Sequence, residues 1–182
     1  SQYLLEALYA AGLDDFAHHL MTDRDTDRSW AHMVYNVGTT ITLEAWDNKY
    51  KPNQDWNHAW GAAPANIIPR FLLGVRPTAP GFQRILVNPR PGGLERVSGK
   101  VPTPHGPVEV GLEAPRGKTR CLTVRIPEPA VATVGLRRGT DGDGTVEVNG
   151  RPTGARARNG HLFVDDLPPG VHELRFPPLF QT

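Results

Sequence analysis

Apolar residues over the first 21 positions recur at helical spacing. Leu5, Leu8, Phe16 and Leu20 form a stripe that includes Gly12, and Leu4, Ala7 and Ala11 widen it. The spacing predicts one amphipathic helix over residues 1–21 that needs a packing partner. The polar run MTDRDTDR that follows reads as a solvated loop. Ser29 stands where it caps a short helix through Trp30, Met33, Val34 and Val37, which Gly38 ends, and Trp30 reads as packing. A third helical run covers residues 56–73, with Ile67, Ile68, Phe71 and Leu72 apolar and Gly74 as the stop. Pro64 and Pro69 within it predict a kink or a split into two pieces.

Past Arg76 and Pro77 the apolar period changes to two. Ile85 and Val87, Val97 and Val101, Val108 to Leu112, Leu122 to Ile126, Val134 and Leu136, Val146 and Val148, Leu162 and Val164, and Val171, Leu174 and Phe176 mark about eight short strands. Turn residues separate them, most clearly at Pro104 to Gly106, Asp141 to Gly144, Asn149-Gly150, Asn159-Gly160 and Pro168 to Gly170. Strands at this spacing argue for an antiparallel β-sandwich of about a hundred residues, independent over residues 83–176. The expected class is therefore α+β, with a helical portion over residues 1–76 and a sandwich over residues 77–182.

Composition sharpens that division and removes several functions. The chain has 19 glycines and 18 prolines, concentrated after residue 74. Its 182 residues are 38% hydrophobic and 21% charged with a net charge of +1, a balance with no bias toward nucleic acid or an anionic membrane. No run of apolar residues is long enough to span a bilayer, and acids interrupt the apolar N-terminal pattern, which is unlike a signal peptide; this leaves a soluble chain of unassigned compartment. Cys121 stands alone, so no internal disulfide forms. The run GTDGDGT, with Asp141 and Asp143, lacks the later acidic ligand of a calcium loop and reads as a turn. His18 and His19 are adjacent on a helix and point apart, so they are not a ligand pair. Neither a metal nor a cofactor is expected, since a phosphate loop and a serine elbow are also missing.

The chemistry gathers in residues 38–60, GTTITLEAWDNKYKPNQDWNHAW. Glu44, Asp47, Asp55 and His58 alternate there with Trp46, Trp56 and Trp60. A carbohydrate offers hydroxyls to carboxylate, amide and imidazole groups and a C–H face to an aromatic ring, so the stretch suits one wall of a sugar site. Each residue also has a plainer use. Tryptophans fill cores, Asp47 and Asp55 suit helix caps, Glu44 suits an ion pair with Lys49 or Lys51, and His58 suits a satisfied buried site.

The order of these residues resembles the C-terminal part of the bacterial α-L-rhamnosidases of glycoside hydrolase family 78. The likeness covers residues 3–113 and rests on Ser29-Trp30, the Gly-x-Thr loop at Gly38 to Thr40, the glutamate of LEAWD, the Asn57-His58 pair, and the LGVRP and PGFQ junctions. It implies that residues 1–76 are the last helices of an α/α toroid of the six-hairpin type and that a C-terminal β-sandwich follows. It further implies that Glu44 is the general base and that His58 touches the bound rhamnose, with Asn57, Trp46, Trp56 and Trp60 completing the sugar contacts available here. Leu43 departs from the family, which often has tryptophan before the glutamate; the glutamate register is intact.

Inverting hydrolysis needs a second carboxyl as acid, and the resemblance places it in earlier helices. Asp47, only three positions from Glu44, suits a structural role better. The expected protein is thus an inverting α-L-rhamnosidase releasing terminal rhamnose. This chain would carry the base, pair with the upstream part of the same polypeptide or self-associate through exposed helical faces, and be inactive alone. Two other readings stay open: a non-catalytic sandwich module with a helical dock that binds sugar or a partner, and a related toroid glycosidase of different sugar preference.

Overall fold

The computed structural model describes residues 1–139 and 144–179, so Asp141 and Asp143 of the GTDGDGT run lie outside the described residues. The chain divides into two units, Ser1–Ile68 and Pro69–Thr182.

In the first unit the single predicted helix is two. Gly12 adopts φ +79°, a left-handed conformation open to glycine at little cost, and separates α1 (Gln2–Ala10) from α2 (Asp14–Thr22). The break rotates the predicted stripe: Leu5, Leu8 and Tyr9 are buried from α1 and Ala17 from α2, whereas Leu4 and Phe16 are 56% and 50% exposed. Ser29 caps α3 (Trp30–Tyr35) as expected, its Oγ accepting from the His32 N–H at 3.1 Å, and Gly38 follows with φ +77°. The third run is shorter and more broken than its apolar spacing predicts. It consists of a 3₁₀ turn (Ala59–Ala62), α4 (Ala63–Ile67) and a π-helical turn (Ile68–Leu72), so Trp56, Asn57 and His58 precede it in non-helical backbone. Pro64 lies in the first turn of α4, where a missing N–H costs nothing, and Pro69 falls in the π turn.

The second unit is a sandwich of two sheets. Its strands are β1 (Val75–Pro77), β2 (Arg84–Val87), β3 (Arg96–Val101), β4 (Val108–Glu113), β5 (Arg120–Ile126), β6 (Val131–Arg137), β7 (Thr145–Val148), β8 (Arg151–Gly154), β9 (Arg156–Arg158), β10 (His161–Leu167) and β11 (Gly170–Phe176). One sheet runs β1-β2-β6-β10-β9 and the other β3-β4-β5-β11-β7-β8. The pairings are antiparallel except for β2 with β6, which run parallel in register Arg84↔Val131 to Val87↔Val134, a departure from the all-antiparallel expectation. Period-two burial carries the core: Val110 lies opposite Val124 and Leu112 opposite Leu122, all buried, against the inner face of the other sheet at Val87, Val134 and Leu162.

Three strands beyond the eight expected are β1, β8 and β9. Strands β8 and β9 are exposed along nearly all their length, so no apolar alternation marks them. Register at the tight turns creates them instead. Asn149 and Gly150 both take positive φ (51° and 76°) between β7 and β8, and Asn159 and Gly160 do the same (47° and 72°) between β9 and β10, the conformation that suits a two-residue hairpin. One inward position also differs. Val171 is 50% exposed, and His172 takes the inward place in phase with Leu174 and Phe176. Burial of that imidazole is satisfied by Pro168 O, 2.8 Å from Nε2.

Outward Val171 and inward Leu174 should respond differently to truncation. Leu174→Ala is expected to cost about 2–5 kcal/mol and Val171→Ala less than about 1 kcal/mol. Urea unfolding of the whole chain followed by far-UV circular dichroism reads both, and equal costs would contradict the facing assigned to β11.

Candidate active site

The site-bearing loop is held by backbone pairing that its sequence does not advertise as strand. Glu44 N–H donates to Asp55 O at 3.0 Å and His58 N–H donates to Thr42 O at 3.0 Å, so residues 42–44 and 55–58 run side by side in opposite directions. Between them Leu43 is completely buried, and strand-like alternation turns Thr42 and Glu44 the other way. The Thr42 hydroxyl donates to His58 O at 3.0 Å and doubles the link. Close approach to the next turn requires Gly61: a Cβ there would meet Leu43 O at 2.3 Å and Thr42 Cβ at 2.8 Å. Gly61 O in turn accepts from the Trp30 indole at 2.6 Å, which fixes α3 against this turn.

Loop residues 45–54 are organised by buried Gln54. Its Oε1 accepts from the Ala45 N–H at 2.8 Å, and its amide nitrogen donates to Asn48 Oδ1 at 2.9 Å. Asn48 Oδ1 also receives the Trp56 indole N–H at 3.3 Å. Sequence reading passed over Gln54 and Asn48, since a lone amide in a polar loop carries no pattern.

Glu44 is half-buried and has two donors. Lys51 Nζ contacts Oε1, and the Asp55 N–H donates to Oε2 at 3.3 Å. The ammonium, then the amide, hold the Glu44 carboxyl below the ordinary glutamate range, with His58 adding to the effect, so it is ionised at neutral pH. The Thr42 hydroxyl, near in sequence, is committed to His58 O, so the donors to Glu44 are Lys51 and the Asp55 amide.

Asp47 has structural work, as its sequence position suggests. It accepts from the Lys49 N–H at 3.1 Å and lies 2.7 Å from His32 Nε2; the His32 contact leads in lowering its carboxyl below the usual range. His58 Nδ1 accepts from the Trp60 N–H at 3.2 Å, which leaves the proton of the neutral ring on Nε2. Trp60 and Trp56 are 74% and 45% exposed, so neither is a core filler, while half-buried Trp46 meets Trp30 edge-on at a centroid distance of 4.9 Å. The Trp60 ring stands edge-on to His58 at 5.0 Å. Asn57 is exposed.

Ligand-type atoms of Glu44, Asp55 and His58 lie within 4.8 Å of one another. The cation of that group is the Lys51 ammonium, already on Glu44 Oε1, so the cluster is read as an ion pair with neighbours. The nearest carboxylate oxygens of Glu44 and Asp55 in that group are closer than the roughly 6.5–9.5 Å that separates the carboxyls of an inverting pair.

Residues 1–72 match the family model for the bacterial alpha-L-rhamnosidase six-hairpin glycosidase domain, and residues 74–151 match that for the bacterial alpha-L-rhamnosidase C-terminal domain. The chain belongs to the bacterial α-L-rhamnosidase family. It is 30% identical over 117 residues to an alpha-L-rhamnosidase of Alteromonas sp. (strain LOR), covering 59% of this chain and 12% of the relative. An alpha-L-rhamnosidase of Streptomyces avermitilis is 26% identical over 140 residues, covering 72% of this chain and 13% of the relative. The chain thus spans about an eighth of these curated relatives. The fold is shared with the solved α-L-rhamnosidase of Dictyoglumus thermophilum, with TM-score 0.81 and 18% identity over 95% of this chain and 20% of the other. It is shared too with the Streptomyces avermitilis α-L-rhamnosidase solved with L-rhamnose, with TM-score 0.76 and 23% identity over 94% and 17%. The two units are accordingly a part of the six-hairpin glycosidase domain and the β-sandwich that follows it in this family.

All four tryptophans lie in the first unit, so their fluorescence reports on it alone. Gly61→Ala is expected to cost about 1–3 kcal/mol, because the atoms that the new Cβ would meet include the Leu43 backbone, which cannot yield cheaply. Urea unfolding followed by tryptophan emission measures it, and an unchanged midpoint would remove Gly61 from the support of the loop.

Proposed function

We propose that this chain contributes the general base and part of the sugar-binding wall to an inverting α-L-rhamnosidase. The observation that carries the reading is Glu44, a carboxylate kept ionised by Lys51 and the Asp55 amide and set beside His58 and exposed tryptophans. In the proposed reaction Glu44 accepts a proton from water as the water oxygen bonds to the anomeric carbon. The glycosidic C–O bond breaks on the opposite side, and its oxygen takes a proton from a carboxylic acid supplied by another part of the toroid. His58 donates through Nε2 to a rhamnose hydroxyl, and the Asn57 amide adds a second polar contact. Trp56, Trp60 and Trp46 offer ring faces or edges to the C–H surface of the sugar.

The division of labour proposed gives catalysis to the helical residues up to about 76 and support to the sandwich from residue 77 onward. Exposed Tyr3, Leu4, Phe16 and Tyr35, apolar groups on α1, α2 and α3, are proposed to pack against the upstream part of the polypeptide.

In an active polypeptide containing this chain, Glu44→Gln is expected to lower kcat by about 10²-fold or more with KM little changed, since it deletes the base and keeps the shape. His58→Ala is expected to raise KM and lower kcat together. Steady-state hydrolysis of an aryl α-L-rhamnoside separates the two, and near-normal kcat in Glu44→Gln would move the base elsewhere.

The 182-residue chain alone is expected to give no rhamnoside hydrolysis above background. Loss of the acid removes a factor of about 10² to 10⁴, and loss of the remaining pocket removes orientation as well. Robust turnover by the purified monomer would place a second working carboxyl within it.

A further inference from the structure

We infer that Lys51 is a positioning residue for Glu44, holding the carboxylate in one orientation and setting the acid edge of the range in which it can act as a base. The inference rests on the proposed role of Glu44 and adds to it a residue that neither the family motifs nor the comparisons assign.

Three observations carry it. First, the Lys51 ammonium contacts Glu44 Oε1 while the Asp55 amide takes Oε2, so the carboxylate is held at both oxygens and its plane is defined. Second, the neighbouring cation is committed elsewhere: Lys49 pairs with Asp27, which the Tyr50 hydroxyl also meets at 2.7 Å. Third, the ion pair is sheltered on its acidic side, with the Glu44 side chain 17% exposed against 42% for Lys51, so the contact is less screened than a free surface pair. The charged and titratable groups facing Glu44 are Lys51, the Asp55 carboxyl and His58. Burial opposes ionisation of Glu44, and Lys51, ahead of the Asp55 amide, is the group that offsets it. Lys51 also moderates the basicity of the carboxylate, so it trades driving force for proton uptake against ionisation in acid.

The mechanism fixes the sign. A base works only when ionised, so the acid limb of kcat/KM follows the Glu44 carboxyl in the free enzyme. With Lys51 present that limb lies at lower pH, and removing the cation moves it up.

The test pairs kinetics with a direct titration. In an active polypeptide containing this chain, Lys51→Met should shift the acid limb of kcat/KM upward and cost roughly threefold or more in relative rate at acidic pH, while the plateau at higher pH changes less. Lys51→Arg should restore the wild-type limb. Carbon-13 NMR titration of the Glu44 carboxyl should show the same upward move in Lys51→Met and its reversal in Lys51→Arg. A Glu44 titration that ignores Lys51→Met overturns the inference, as does a limb that stays in place when the titration moves. Should Glu44→Gln retain activity, the base reading itself fails; the NMR arm then still reports whether the two side chains are coupled. If Lys51→Met does not fold, Lys51→Gln replaces it in the same carbon-13 titration: an upward move of Glu44 supports the coupling, and none overturns it.

Discussion

Burial of Leu43 within a backbone segment paired at both of its neighbours is the constraint on which the site depends. A residue with no exposed surface, flanked by hydrogen bonds from residue 58 to 42 and from 44 to 55, leaves little freedom in where residue 44 points. The loop is then as well defined as a two-stranded ribbon, although it is not one in name. Gly61 makes this possible by letting the following turn come within reach of Leu43 O without a side chain in between. An apolar leucine where the family often carries tryptophan is consistent with that role, because the position faces inward and its loss would be felt as packing.

Polar satisfaction inside the loop follows from the same closure. Gln54 is buried, and a buried amide without partners would be costly, so it is tied at one end to Ala45 N–H and at the other to Asn48. Asn48 passes the link to Trp56, which keeps the indole at the edge of the site while its ring stays half exposed. Three acids in and beside the loop, Asp47, Asp27 and Glu44, also have their own donors. Asp47 takes His32 and the Lys49 amide, Asp27 takes Lys49 and Tyr50, and Glu44 takes Lys51 and the Asp55 amide. The field at Glu44 is therefore set by groups within a few ångströms rather than by net charge, which is close to zero for the chain.

Legibility in the sequence tracks whether a residue belongs to a pattern. The inward positions of β4 and β5 were readable because alternation and burial coincide there, and the hairpins at Asn149-Gly150 and Asn159-Gly160 because positive φ selects those residues. Strands β8 and β9 were not, since exposed residues leave no alternation to find. At β11 the eye goes to Val171, yet the spacing from 171 to 174 is three, and His172 alone is in phase with Leu174 and Phe176; a polar identity concealed an inward position. Gly12 could have been recognised as a break, but its place on an apolar stripe suggested continuity. In the site, motif order singled out Glu44 and His58 and charge offered Lys49 or Lys51 as the partner of Glu44, whereas only the closed loop selects Lys51 and commits Lys49 to Asp27.

The sandwich manages its own edges by different means from the loop. On β10 the register slips between Val164 and Leu167, a bulge that lets Leu167 reach the core while Asp165 and Asp166 stand together outside. Two adjacent acids would repel, and each has a base: Arg156 grips Asp165 through two bonds of 2.8 and 2.9 Å, with Thr133 adding a third at 3.0 Å, and Arg84 meets Asp166. Arg156 sits on edge strand β9 and Arg84 on interior strand β2, so the bulge of β10 is tied to both through charges that are invisible to a hydrophobic pattern. Such pairs are partly exposed and individually weak. Their effect is on register, because a one-residue slip of β10 would turn Leu162 and Val164 outward and set the acids apart from their partners at the same time.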